Sequence, residues 1–544
     1  MKALRFFMRS VGRTQLLLAP LGLLGSAFGV GFVAVIHRAL AASSVTSELV
    51  LAFVGFGLGR VVATYFATLV LGSHAQESIM ELRRKLIARV LSVPYRNVEK
   101  MGAANVQAVM THDVATLGRS LEQIPTLLMN VALVLGAAAY LAYLSPIALA
   151  GACALAVPSV LIFRFVGTRA RKALASQREH HERLYGLLAS LAHGVKELKL
   201  HQPRRRSFLT DGLLETSETL LDSEHETRSR YLLGQAINQV LLFAMLGAIL
   251  FVLPQGISPQ PGVAVGYVLV GLFMLAPLSQ ISRMLPVFQA SDIALERIEE
   301  LGIQLGQRAA EPDADPGLRP SATTIELRDI AYRYDDERAF VVGPINLSLR
   351  AGELVFITGG NGSGKSTLAR VLTGLYAPTE GELLWDGEPV TAETRDTYRQ
   401  LWSGLFSELQ LFDRLYGLFG MRNEAQARSL LQRLGLGRIV HVDSGAFSTT
   451  NLSRGQRKRL ALMIALLEDR PVYLFDEWAA DQDPNFRRVF YRELLPELRA
   501  QGKVVVVITH DDRYFDAADR ILQLQDGRVV EESDSAVRRA VLEA

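Results

Sequence analysis

The chain is 544 residues long, 49% of them hydrophobic, with a net charge of only +3. Mean hydropathy is positive, which is high for a soluble enzyme and directs attention to membrane spans. A charge this close to balance argues against a nucleic-acid binder on bulk grounds, and a single cysteine, Cys153, excludes a disulfide framework or a cysteine-based metal site within one chain.

Six apolar runs of roughly bilayer length occupy the first half, at 16–36, 49–71, 124–144, 147–163, 232–253 and 263–285. Lys2, Arg5, Arg9 and Arg13 resemble the start of a secretory signal, but the first run is too long for one and five more follow. Basic residues set the orientation. "ELRRKLIARV" (Glu81–Val90) lies between spans two and three, and "TRARKAL" and "PRRR" lie between spans four and five. "PQGISPQPG" (Pro254–Gly262), between spans five and six, carries no charge. Both termini are therefore expected in the cytoplasm.

The two inside segments, Ser73 to Gln123 and Arg164 to Tyr231, are too long for structureless loops. Being charged and proline-poor, they read as helices that continue the spans at ~1.5 Å per residue and turn back near Thr111–Leu117 and Gly194–Arg206. The run Arg204–Arg206 reads equally as a solvated or headgroup-facing surface and as a docking site for a partner. Polar residues inside spans are costly, so Arg60, Asn130, Gln280 and the one-face trio Gln235, Asn238 and Gln239 are either helix–helix glue or the lining of a cargo cavity.

Residues 306–320 shift abruptly to Pro, Asp and Gly and read as a linker between a membrane domain (1–305) and an α/β domain (321–544) in which apolar strands alternate with helical stretches. "ELVFIT" is a buried strand, and "GGNGSGKST" (Gly359–Thr367) follows it directly and opens a helix. This is the phosphate-binding loop pattern in its required strand–loop–helix context. The backbone of Gly359, Asn361, Gly362, Ser363 and Gly364 would cradle phosphates, with Lys365 reaching the terminal ones and Ser366 and Thr367 at the helix start. Ser366 suits Mg²⁺ ligation. "VYLFDE" ends in Asp476, suited to Mg²⁺, and Glu477, suited to polarise an attacking water. "VVVVITHDD" brings His510 to the same sheet edge, within reach of the last phosphate.

With these motifs in place the chain resembles the ATP-binding cassette (ABC) family, in the order of an exporter half-transporter. That implies a membrane α-helical domain of six transmembrane helices followed by an α/β P-loop nucleotide-binding domain. "LSRGQ" (Leu452–Gln456) looks like the family signature, with Arg454 where glycine is commoner. The resemblance implies that Ser453, Gly455 and Gln456 cap ATP bound to the opposite subunit, that Tyr334 in "YRYDD" stacks on adenine, and that Asp483 in "AADQDP" links the two sites of a dimer. The loop "LFSELQLF" lacks the usual glutamine, whose place stays open between Ser407, Glu408 and Gln410.

"LSRGQRKRLAL", "DEWAADQDP" and "ITHDDRYFDAADR" resemble the bacterial cyclic-peptide and siderophore-peptide exporters of the pyoverdine and syringomycin type. Without a long N-terminal region the chain is expected not to be a peptidase-bearing bacteriocin exporter. The resemblance implies ATP and Mg²⁺ as cofactors and a homodimer in the bacterial inner membrane, surrounded by lipid. It also implies export of a peptide-type cargo and no nucleic-acid partner. A lipid flippase or multidrug exporter of the same architecture is the alternative. A soluble ATPase of the family acting on nucleic acid or ribosomes is disfavoured by the spans. On this reading Arg457, Lys458 and Arg459 form the exposed first turn of the helix after the signature, and Arg454 adds a charge near the opposing ATP.

Overall fold

The computed structural model describes residues 19–42, 44–144, 146, 149–150, 177, 179–247, 251, 261–306, 321–334, 340–418 and 421–534. The chain forms two compact units. One comprises Met1–Ala88 and Gly102–Gln304, and the other Arg89–Met101 and Leu305–Ala544.

The first unit is helical. Its described elements include α1 (Ala19–Ala41), most of α2 (Ser47–Ser92), α4 (Ala103–Ala108) and α5 (Val114–Leu144). A helix over 179–200, called α6, is followed by α7 (Gln202–Ser207), α8 (Glu215–Gly247) and most of α9 (Pro261–Gly306). Among the described residues four helices are long and apolar enough to cross a membrane: Gly22–Ala41, Ser47–Ser92, Asn105–Leu144 and Val265–Leu301. The expected fourth span, 147–163, lies outside the described residues except for 149–150, as do the end of the fifth span and most of the linker. A buried cluster of Val33, Ala137, Leu141, Tyr267 and Val270 joins α1, α5 and α9. α2 instead exposes Leu51, Leu58 and Val61, the surface expected where the surrounding solvent is lipid.

The polar residues of this unit separate into two groups. Asn130 Nδ2 donates to Gln280 Oε1 at 2.8 Å, and His37 Nδ1 lies 2.9 Å from the Tyr140 hydroxyl. Both pairs join different helices and act as interhelical glue. Arg60 behaves differently. Its guanidinium stacks 4.9 Å from the Phe273 ring centre and borders an open apolar hollow of about 500 Å³ lined by Phe32, Phe53, Val54 and Val61. Gln235 is half-buried and Gln239 exposed, whereas the Asn238 side chain lies outside what is described.

One expected turn is misplaced. Thr111–Leu117 is helical, spanning a π-turn (Val109–Asp113) and the start of α5. The chain actually reverses between Ser92 and Gly102. Pro94 cannot continue α2, the short helix α3 (Tyr95–Met101) crosses, and Gly102 at φ 77° lets the chain turn back. The second turn falls where expected: His201 leaves the helix and its ring nitrogen caps α7 by accepting from the Arg204 amide.

The second unit contains a six-stranded sheet in the order β12-β11-β3-β10-β9-β6 and a four-stranded antiparallel sheet in the order β2-β1-β4-β5. In chain order the strands are β1 (Thr324–Arg333), β2 (Val341–Arg350), β3 (Leu354–Gly359), β4 (Glu380–Trp385), β5 (Glu388–Pro389) and β6 (Trp402–Leu405). A small ribbon of β7 (Val442–Asp443) and β8 (Ala446–Phe447) precedes β9 (Val472–Asp476), β10 (Val504–Ile508), β11 (Arg520–Gln525) and β12 (Arg528–Asp534). The core strands β3, β9 and β10 are uninterrupted apolar runs because both faces are covered. Val355 and Ile357 pack with Leu368 and Leu372 of α10 (Lys365–Leu372) on one face. On the other, Leu354, Phe356, Tyr473 and Phe475 join Ala427 and Leu431 of α11 (Met421–Arg433) and Leu460 and Met463 of α12 (Arg454–Glu468).

At the end of α12, Glu468 accepts a 2.6 Å bond from Ser403 of β6, and burial pushes its carboxyl above the usual range against the pull of Ser403 and Arg470. A raised folded-state value means the protonated form favours folding. This contribution is complete below the unfolded carboxylate pKa and is lost as pH rises through the folded one. Replacing Glu468 by Gln, which still accepts from Ser403, should therefore raise the melting temperature of this unit at pH 7.5 by about 2–4 °C. The gain should shrink to nothing near pH 4. All three tryptophans, Trp385, Trp402 and Trp478, lie in this unit, so intrinsic fluorescence of the full chain reports its unfolding selectively. An equal gain at both pH values would assign the effect to packing rather than ionisation.

Candidate functional site

β10 pairs in parallel with β3 on one side and β9 on the other, with Ile508 beside both Ile357 and Asp476. That register sets the ends of three strands level, and the functional side chains leave from those ends. The loop after β3 requires glycine at two positions for different reasons. Gly359 has φ 142° and pairs with Leu524 of β11 so closely that a Cβ would lie 2.2 Å from the Leu524 carbonyl oxygen. Gly364 caps α10 at φ 101°, where a Cβ would meet Val342 at 2.8 Å. The helix N-terminus and the surrounding loop amides form a concave anion site.

Lys365 is buried and its ammonium donates to the carbonyl oxygens of Gly359 at 2.9 Å and Gly360 at 2.8 Å. Burial pulls its pKa below the usual lysine value, while Glu477 and Asp476 oppose the shift. Ser363 is buried too, and among the described residues its hydroxyl oxygen has no hydrogen-bond partner. Asn361 and Gly362 are exposed on the same loop, and Ser366 is exposed in the first turn of α10. Tyr334 lies half-buried with its hydroxyl 2.8 Å from that of Thr367, which fixes it beside the start of α10.

Asp476 ends β9, buried, and accepts the Ser407 backbone N–H; burial and the neighbouring Glu477 carboxylate push its pKa up, against Ser407, Arg370 and Lys365. A divalent cation would reverse the balance at this acid, so Asp476 with the Ser366 hydroxyl fits a hard, oxygen-ligated ion such as Mg²⁺. Glu477 takes a left-handed conformation (φ 48°), with its amide bonded to the Ile508 carbonyl at 3.0 Å and its carboxylate 3.2 Å from His510 Nε2. Of the three residues left open for the glutamine position, Ser407 is the one bonded to Asp476. Gln410 turns its amide weakly onto the Leu411 carbonyl, and Glu408 is exposed.

The signature segment differs from expectation. Ser453 and Gln456 form a reciprocal capping box at the start of α12, the Ser453 amide donating to Gln456 Oε1 at 3.0 Å. Arg457 is exposed as expected, but Lys458 is buried and Arg459 half-buried. Lys458 donates to the carbonyls of Glu477 and Trp478 and pairs with Asp481. Arg459 pairs with Asp483 and Gln482 and lies over the Phe486 ring. Arg454 also pairs with Asp481, at 3.2 Å. These cations are consumed within the chain because the loop after β9 brings two aspartates against the helix start. Asp483 caps the next helix, and the Phe486 amide, with help from Arg459, holds its carboxyl below the usual range.

Sequence reasoning missed α3. Arg96 stacks 4.8 Å from the Tyr334 ring centre, and Glu99 pairs with Arg96, Arg370 and the Tyr376 hydroxyl. The available signal was the Pro94…Gly102 bracket, which marks a short element between two breakers.

Residues 17–199 match the family model for the ABC transporter transmembrane region and residues 342–480 that for the ABC transporter. The chain is 36% identical to the ATP-binding protein SyrD of Pseudomonas syringae pv. syringae, over 95% of this chain and 94% of that one. The chain belongs to the ABC transporter family. It is an ABC exporter half-transporter, an ATP-hydrolysing membrane protein with a cytoplasmic nucleotide-binding unit, as its sequence led one to expect. The exporter is also 27% identical to an ATP-dependent lipid A-core flippase of Alkalilimnicola ehrlichii, over 88% of this chain and 83% of that one. Its fold matches that of a bacterial Atm1-family ABC exporter with ATP bound, with a TM-score of 0.79 at 17% identity over 97% of this chain and 99% of that one.

The buried Lys365 ammonium has one clear test. Lys365→Ala should weaken binding of a fluorescent ATP analogue at least tenfold, since charge-assisted bonds to phosphate are lost. The tryptophan-monitored melting curve without nucleotide should stay within a few degrees of the parent. Unchanged affinity would place the phosphates elsewhere.

Proposed function

We propose that the chain is one half of a homodimer that exports a peptide-type secondary metabolite, a cyclic peptide or siderophore precursor, across the bacterial inner membrane at the expense of ATP. The convergence of Lys365, Asp476, Glu477 and His510 on the level ends of β3, β9 and β10 carries the hydrolytic part of this reading. Lys365 exchanges its two loop carbonyls for phosphate oxygens. Ser366 and Asp476 would hold Mg²⁺, which would offset phosphate charge. Glu477 accepts the proton of the attacking water, and His510, on its carboxylate, orients it toward the last phosphate. Tyr334 offers its ring to adenine. The start of α12, with exposed Ser453 and half-buried Gly455 and Gln456, serves the nucleotide of the second copy, and Asp483 serves to link the two sites.

The peptide class rests on the "DEWAADQDP" loop and its neighbouring motifs, together with identity to SyrD that exceeds identity to the lipid A-core flippases. Glu477→Gln should lower turnover by about 10²–10⁴-fold, the range for loss of a general base. It should also accumulate an ATP-bound dimer visible by size and retained nucleotide. Normal turnover in that variant would remove Glu477 from its role. In lipid nanodiscs, cyclic peptides and siderophore peptides should stimulate ATP hydrolysis, and lipid A should not. Stimulation by lipid A alone would replace the peptide reading with a flippase.

A further inference from the structure

Lys458 follows the signature motif by two residues, and nothing in the hydrolytic scheme above uses it. Its ammonium carries three protons and meets three acceptors. These are the carbonyl oxygen of Glu477 at 2.9 Å, that of Trp478 at 3.2 Å, and Asp481 Oδ2 at 2.7 Å. The residue is only 5% exposed, so its bonding capacity is satisfied inside the protein. The interaction is reciprocal: Trp478, itself buried, donates its indole N–H to the Lys458 carbonyl at 2.9 Å. Two further links tighten the same junction. Gln482 donates to the Gly455 carbonyl at 3.1 Å, and a Cβ on Gly455 would lie 2.9 Å from the Asp481 carbonyl oxygen. The first turn of α12 and the loop 477–482 are thus one braced body.

The grip falls on a costly conformation. Glu477 is held at φ 48°, a region that a non-glycine residue occupies only when its surroundings impose it. The Ile508 carbonyl fixes the amide side of this residue and Lys458 fixes the carbonyl side. Between them the carboxylate is aimed at His510.

We propose that Lys458 is a positioning residue for hydrolysis, holding the left-handed Glu477 peptide so that its carboxylate is aimed, and tying that peptide to the start of the signature helix. One side chain then joins the loop that acts on the chain's own nucleotide to the helix start that acts on the nucleotide of a second copy. This rests on the roles proposed above for Glu477 and Ser453.

The experiment uses the full chain in nanodiscs with Lys458→Met, which keeps the length of the side chain without donors, and Lys458→Gln, which restores donors without charge. Lys458→Met should lower kcat for ATP at least tenfold while KM and ATP-analogue affinity stay within threefold, and Lys458→Gln should recover part of kcat. In a Glu477→Gln background, adding Lys458→Met should shorten the lifetime of the ATP-bound dimer at least tenfold, which a defect confined to the water-polarising step would not do. Overturning results are a kcat equal to the parent, an unchanged dimer lifetime, or a loss of kcat matched by an equal loss of folded, nucleotide-binding protein. Glu477→Gln alone separates the two levels. If that variant turns over normally, the Glu477 reading fails; if it is inactive while Lys458→Met is normal, only the role of Lys458 fails.

Discussion

The parallel pairing of β10 with β3 and β9 is the constraint on which the rest of the nucleotide unit depends. Because Ile508 sits level with Ile357 and with Asp476, the phosphate loop, the acidic pair and His510 emerge at one edge without any of them contacting another in sequence. The strands can hold that register because they are buried on both faces, and slipping one residue would turn Val505 and Val507 away from Phe356 and Phe475. Packing at a distance from the chemistry therefore sets its geometry. The same register explains why acids tolerate the site. Asp476 and Glu477 are adjacent and mutually repulsive, yet Lys365 approaches from β3 and Ser407 from β6 to offset part of the cost.

Much of this unit was legible in the sequence because its signals are local. A strand followed at once by a glycine-rich loop and a helix fixes both backbone and chemistry, and the structure puts Gly359 and Gly364 in conformations that forbid larger residues. The acids at the end of "VYLFDE" were equally plain. What could not be read was the fate of the basic run after the signature. Helical periodicity places Lys458 on a face, but its burial depends on a loop that begins 19 residues later and folds back with Asp481 and Asp483. Long-range pairing of this kind leaves no periodic trace. At the glutamine position the contact to Asp476 comes from the Ser407 backbone N–H, a donor every residue there possesses, so side-chain identity leaves no trace of it in the sequence.

The membrane unit shows the same division. Hydropathy located its long helices, since length and apolarity are properties of the segment alone. It did not distinguish glue from lining. Asn130 and Gln280 satisfy one another across two helices, whereas Arg60 borders an open hollow and rests on Phe273. The turn expected near Thr111 lies instead between Ser92 and Gly102. Pro94 and Gly102 are the stronger signals, because one removes a backbone donor and the other supplies a conformation that other residues avoid.

The brace at Lys458 gives the half-transporter architecture a physical meaning. On the proposed roles the start of the signature helix serves a neighbour's nucleotide and the loop 477–482 the chain's own, and the two could in principle move independently. Lys458 and Gln482 hydrogen-bond across the junction and Gly455 packs closely against it, which ties the two together. Arg454, exposed and shared with Asp481, sits at the rim of that junction, where the charge it brings is already half-committed to its own chain. Of the four cations in the run, then, only Arg457 remains fully given over to solvent. The others tie the start of the signature helix to the loop after β9.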